Sequence, residues 1–286
     1  MSTSQALRAG SAVAEQAGDM LRDTLSVLAT TRAHLLVFSL PFLWAWSEGL
    51  PLAGRFGLLV AHGGALTGLA TANSIDDQER GIEPRLGVTR GWEGCRPELA
   101  RQLPEFLLLL SVAGLASLFA AAGDWRVGAS VLVLLIGGWG WMRLPLSVKY
   151  LVQPELAAPI VALLVPWTVL TIATPVAVPV TSVLAGVAGM ATLVLAAHLR
   201  DRELDLADDV PTSATRRPEL TRRWLKVTGA VASIATLAGL YVPLTLPEGI
   251  GLLGALGILV ATTRDDARMT LLVPSFALAG LYWLFG

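Results

Sequence analysis

Apolar residues run in blocks along this chain, with polar residues gathered between them. Nine blocks stand out, near 33–49, 56–73, 104–122, 127–142, 156–173, 178–197, 226–244, 249–263 and 269–285. Each approaches the roughly 20 apolar residues that cross about 30 Å of hydrocarbon, the eighth being the shortest. A chain in lipid must satisfy its own backbone polar groups, so each block predicts a transmembrane α-helix. The expected architecture is all-α and polytopic, with nine spanning helices in a single domain over residues 29–286. Residues 1–28 break the pattern, with Arg8, Glu15, Asp19, Arg22 and Asp23 spaced every few positions. They lack the basic-then-apolar order of a signal peptide and read as a retained amphipathic lead-in.

Composition agrees. Of 286 residues, 54% are hydrophobic and 15% charged, with mean hydropathy +0.63. A soluble domain carries roughly 25% charge. The lone Cys95 excludes an internal disulfide and offers nothing for thiolate metal chemistry. Net charge is −1, and only its distribution is informative. Nineteen of the 21 Lys and Arg fall in the N-terminal segment and the 2–3, 4–5, 6–7 and 8–9 connections; Arg55 and Arg126 fall on the other side. By the positive-inside rule the N-terminus is cytoplasmic and the C-terminus outside. Trp44, Trp46, Trp125 and Trp283 fall near outer ends of spans, and Trp139, Trp141 and Trp224 near inner ends, as an interfacial belt would place them.

The acids are clustered too. TANSIDDQERGIEPRLG (71–87) carries Asp76, Asp77, Glu79 and Glu83, and HLRDRELDLADD (198–209) carries Asp201, Glu203, Asp205, Asp208 and Asp209. The clusters begin at the cytoplasmic ends of the second and sixth predicted helices, so both face the same way. Ala72-Asn73-x-x-Asp76 echoes Ala197-His198-x-x-Asp201, which suggests a parallel internal repeat. On a helix, Asn73 and Asp77 share a face, as do Asp201 and Asp205. Opposed carboxylates repel unless a cation lies between them, and Mg²⁺ prefers oxygen ligands, commonly one or two carboxylates plus substrate phosphates. The interleaved arginines add bidentate donors for phosphate oxygens. Acids for Mg²⁺ and arginines for phosphate at a membrane surface point to a diphosphate ester with an apolar tail. His62, three turns before Asn73 on the same face, reads as a hydrogen-bonded histidine of the bundle.

These residues resemble the UbiA superfamily of intramembrane prenyltransferases, nearest to its MenA-like branch, which prenylates 1,4-dihydroxy-2-naphthoate. Asn73, Asp77, Gly81 and Glu83 fall in register with that branch's first motif, and Arg85-Leu86-Gly87-Val88-Thr89-Arg90-Gly91 with the segment that follows it. Leu199-Arg200-Asp201-Arg202-Glu203-Leu204-Asp205 fits the second motif. Thr31-Arg32, Pro145-Leu146, Lys149, Tyr150 and Glu155 match more weakly. The chain departs from the pattern at Ser74 and Glu83, where the first motif has Asp, at Ala33 and His198, and at Asp208–Thr212.

The resemblance implies nine helices and a Mg²⁺-dependent transfer of a prenyl group from a prenyl diphosphate to a small aromatic acceptor of quinone-precursor type. It implies metal binding by Asn73, Asp76, Asp77, Asp201 and Asp205, with Asp76 or Glu79 standing in for the Asp missing at Ser74. Asp77, Asp201 and Asp205 would be catalytic. Asn73, Arg85, Arg90, Lys149, Tyr150 and Arg200 would bind substrate. The expected location is the cell membrane, multi-pass, with the site on the cytoplasmic side and no nucleic-acid partner. The alternative within the superfamily is a terpene cyclase that ionises the same diphosphate without an acceptor. A transporter fits less well, because transport sites sit near mid-membrane and these helix interiors are nearly free of charge.

Overall fold

The computed structural model describes residues 36–79, 97–129, 178–207, 212–240, 245–263 and 269–285, together with 132, 133, 136, 163, 164, 167, 168, 170, 171 and 209. Every element among them is helical. In chain order these are α1 (Leu36–Trp46), α2 (Leu52–Glu79), α3 (Pro97–Ala122), α4 (Val180–Ala207), α5 (Ser213–Arg216), α6 (Pro218–Ala238), α7 (Leu246–Thr263) and α8 (Met269–Phe285). Among the described residues, three helices are long and apolar enough to cross a membrane, at Gln102–Ala122, Val180–Ala207 and Leu246–Thr263; Met269–Phe285 is apolar but shorter. Seven of the nine predicted spans meet a helix. The fourth and fifth, 127–142 and 156–173, lie largely outside the described residues.

Several helices run past the polar edge of their apolar blocks. α2 runs past its block to Glu79, α4 runs to Ala207, and α6 starts at Pro218, eight residues before the block at 226–244. Hydropathy marks the part of a helix that sits in oil, whereas the backbone ladder continues as long as no residue breaks it. Pro218 explains the early start of α6, because proline at the first helical position gives up no hydrogen bond.

Helices in lipid gain little from excluding water between them, so they associate through close backbone approach and interhelical hydrogen bonds. The α2–α3 seam shows both. A Cβ on Gly64 would stand 2.5 Å from the Leu107 carbonyl oxygen, and one on Gly114 would stand 2.5 Å from the Ala61 nitrogen. Only glycine admits that approach. Between them Ser111 Oγ donates to the Ala61 carbonyl at 2.5 Å. Hydroxyls join the second group of helices as well. Thr192 on α4 donates to Thr228 on α6 at 2.9 Å, and Ser233 on α6 donates to the Ala255 carbonyl on α7 at 3.0 Å. Outward positions are apolar and bare, including Phe106, Leu109 and Val112 on α3 and Leu253, Leu256 and Val260 on α7.

α1 sits between the two acid-bearing helices and fixes their register. Trp44 meets Arg55 and Ser39 meets His62, so α2 runs antiparallel to α1. Trp46 meets Ser182 and the Phe42 ring lies against Gly186, so α4 does the same. α2 and α4 are therefore parallel to each other, and a level of α1 that meets one residue of α2 meets the residue about 128 further on in α4.

One expected interfacial tryptophan, Trp46, belongs to the interior instead, and a second, Trp283, is half-buried. Trp46 is 2% exposed, and its indole N–H donates to Ser182 Oγ at 2.9 Å. Trp283 packs against the core beside Tyr282 and closes on Gly239. A buried indole is tolerated where its N–H has a partner, and Ser182 gives Trp46 that partner. Trp125 and Trp224 are exposed, as an interfacial belt requires.

Candidate functional site

The second acidic motif is helical throughout. α4 carries its backbone ladder through His198, Arg200, Asp201, Arg202 and Asp205, which puts Asp201 and Asp205 one turn apart on a common face. Arg200 forks onto its neighbour, Nε to Asp201 Oδ1 at 2.6 Å and Nη2 to Oδ2 at 2.8 Å. Both carboxylate oxygens are thus engaged by a planar cation. The pair is partly solvated, with side-chain exposures of 56% and 29%.

Asp205 is held differently. The chain turns over at Asp209, whose φ of 55° lies in the left-handed region that Asp tolerates better than most residues. It returns at Thr212, which is buried and caps α5 by accepting from the Thr215 backbone N–H at 3.3 Å. Thr212 Oγ1 also bonds Asp205 Oδ2 at 3.1 Å. Arg202 Nε donates to the Ala214 carbonyl at 3.2 Å. Two bonds therefore clamp α5 against the end of α4. Neither Thr212 nor Arg202 had a place in the sequence-based site. The signal for Thr212 was its N-cap chemistry ahead of Ser213-Ala214-Thr215; Arg202 gave none, since its role depends on a carbonyl twelve residues on.

The first acidic motif lies on the last two turns of α2. The backbone stays helical through Asn73, Asp76, Asp77 and Glu79, so Asn73 shares a face with Asp76 and Asp77. The side chains of residues 73–79 are outside the described residues, as are Arg85, Arg90, Lys149 and Tyr150. Extended in a straight line about two and a half turns past Leu36, beyond the described residues of α1, the register set by Ser39–Trp46 would bring Asn73 level with Asp201, and Asp77 level with Asp205. Asn73 and Asp201 are likewise each 21 residues into a 28-residue helix. Among the described residues no three His, Cys, Asp or Glu side chains come close enough to hold a metal ion. The α4 turn alone supplies two carboxylates.

Eleven residues before Asn73, His62 is 1% exposed, with Nε2 3.1 Å from Ser39 Oγ. It is a bundle histidine that ties α2 to α1.

No protein-family model and no curated protein matches this chain. Among solved structures, its fold is similar to that of a UbiA homolog from Archaeoglobus fulgidus bound to GPP and Mg²⁺. The TM-score is 0.61 at 16% sequence identity, covering 91% of this chain and 96% of that one. The same homolog bound to DMAPP and Mg²⁺ gives a TM-score of 0.61 at 17% identity over the same shares, and bound to Cd²⁺ it gives 0.59 at 17%. At this identity the likeness establishes a common fold.

Proposed function

We propose that this chain is a Mg²⁺-dependent intramembrane prenyltransferase of the UbiA superfamily. It takes a prenyl group from a prenyl diphosphate and transfers it to a small aromatic acceptor, 1,4-dihydroxy-2-naphthoate being the nearest type. What supports the reading is the common register of α2 and α4 against α1, which extended would bring Asn73 and Asp77 level with Asp201 and Asp205, in a fold similar to one solved with GPP and Mg²⁺. The asymmetric distribution of Lys and Arg supports a site on the cytoplasmic side of the cell membrane.

The donor set fits a hard divalent cation: carboxylate oxygens at Asp76, Asp77, Asp201 and Asp205, and an amide oxygen at Asn73. Arg200 holds both oxygens of Asp201 in the resting structure, so a metal ion at Asp201 would displace the guanidinium. When bound, Mg²⁺ would draw negative charge from the diphosphate as the allylic C1–O bond breaks. Arg85, Arg90, Lys149 and Arg200 supply fixed positive charge for the departing diphosphate, and Tyr150 a hydroxyl donor. The apolar helix faces keep water from the allyl cation until the acceptor carbon takes it. Thr212, through its bond to Asp205, is a positioning residue for this chemistry.

The test is an incubation of purified protein with Mg²⁺ and geranylgeranyl or farnesyl diphosphate, with and without 1,4-dihydroxy-2-naphthoate, read by mass spectrometry. A prenylated naphthoate and acceptor-dependent diphosphate release are expected. Cyclic hydrocarbons formed without acceptor would replace the transferase reading with that of a terpene cyclase.

A further inference from the structure

We propose that the start of α6 is a binding surface for anionic phospholipid headgroups, seated one short helix away from Asp205. The inference rests on the reading of the apolar block 226–244 as a membrane span, α6 itself not being among the three described helices long and apolar enough to cross, and needs no particular reaction. One face of α6 is bare along its length: Leu220, Arg223, Trp224, Val227, Val231 and Ile234 fall on one stripe at helical spacing, all exposed. Arg216 and Arg217, also exposed, stand at its head. From residue 213 to 226 there are five cations and a single acid, Glu219, whose carboxylate is already taken by Arg222 at 2.5 Å.

The order along the stripe identifies the ligand. Arg216, Arg217 and Arg223 gather at its head with Leu220 among them, the amphipathic indole of Trp224 follows, and Val227, Val231 and Ile234 lie beyond. A phospholipid presents the same sequence: phosphate, interfacial glycerol and acyl chain. A soluble phosphate compound would need the cations but not the apolar continuation in register with them. The surface is also joined to the acidic turn. Thr212 bonds Asp205 and Ala214 receives Arg202, so α5 links the headgroup-facing arginines to the end of α4.

The experiment is native mass spectrometry of the protein released from nanodiscs of equal parts phosphatidylcholine and phosphatidylglycerol. Wild type should retain phosphatidylglycerol preferentially. The variant R216Q/R217Q/R223Q should lower that preference by roughly fivefold per charge removed, where the charges act additively. R216K/R217K/R223K, which keeps the charge, should preserve it and guards against a folding effect. Equal lipid ratios on wild type and the Gln variant would overturn the proposal, as would a Lys variant that loses the preference as fully. So would displacement of phosphatidylglycerol by inorganic diphosphate, which would mark the surface as a soluble-phosphate site. Since retention is read without turnover, a protein that keeps the lipid but transfers no prenyl group would sink the enzymatic reading alone.

Discussion

Two arginines, at opposite ends of the bundle, are held in ways that set those ends apart. Arg55, near the start of α2, donates to the Trp44 carbonyl at 2.9 Å, and its guanidinium lies 4.0 Å over the Trp44 ring. Arg200, near the end of α4, grips the two oxygens of Asp201. A backbone carbonyl and an aromatic face are partners with nothing to exchange. A carboxylate can trade a guanidinium for a metal ion, and a guanidinium can trade a carboxylate for a phosphate. The first end is also sealed by the buried Trp46–Ser182 bond, whereas the acidic turn of α4 is partly open to solvent. One end fixes helix register, and the other uses it.

Asp201→Ala should separate the ends most sharply. If the acidic end is the metal–diphosphate site, losing a metal ligand forfeits several kcal/mol of transition-state stabilisation, so Mg²⁺-dependent diphosphate release should fall on the order of a thousandfold. Thermal stability in detergent should hardly change, because Asp201 is partly solvated and its pair with Arg200 is worth little to the fold. Release that survives both Asp201→Ala and Asp77→Ala would remove the catalytic assignment altogether.

Trp46→Phe is the converse at the sealed end. It shortens a fully buried side chain and removes the donor to Ser182, which keeps its own bond to the Pro179 carbonyl at 2.8 Å. A loss of about 1–3 kcal/mol in stability is expected from the cavity and the missing hydrogen bond. Activity per folded molecule should stay near wild type. A large drop in activity at unchanged stability would mean that the sealed end also takes part in the reaction.

How far the sequence anticipated this arrangement depended on the range of each signal. The helices at seven of the nine apolar blocks were legible because a long apolar run is a purely local property. The extension of α2 through Asp77 and of α4 through Asp205 was legible only as a periodicity of acids. The level pairing of Asn73 with Asp201 was not, since it follows from contacts of Trp44, Trp46, Ser39 and Phe42 with residues up to 144 positions away. Trp46 was misread for a related reason: hydropathy cannot distinguish an indole at a bilayer interface from one whose N–H is met by a distant serine.

Arg200→Gln tests the smallest difference between the ends. In the resting molecule the guanidinium competes with any cation for Asp201, so removing it should tighten divalent-metal binding when no diphosphate is present. With side-chain exposures of 56% and 29% the pair is well screened, and the gain should be modest, roughly two- to fivefold in Mn²⁺ affinity by electron paramagnetic resonance. The same variant should bind prenyl diphosphate less well, because the cation that leaves Asp201 is the one offered to phosphate. Arg55→Gln should leave both affinities unchanged while lowering stability. If Arg200→Gln instead weakened Mn²⁺ binding in the absence of diphosphate, the arginine would be orienting Asp201 for the metal, and the exchange attributed to this end of the bundle would be wrong.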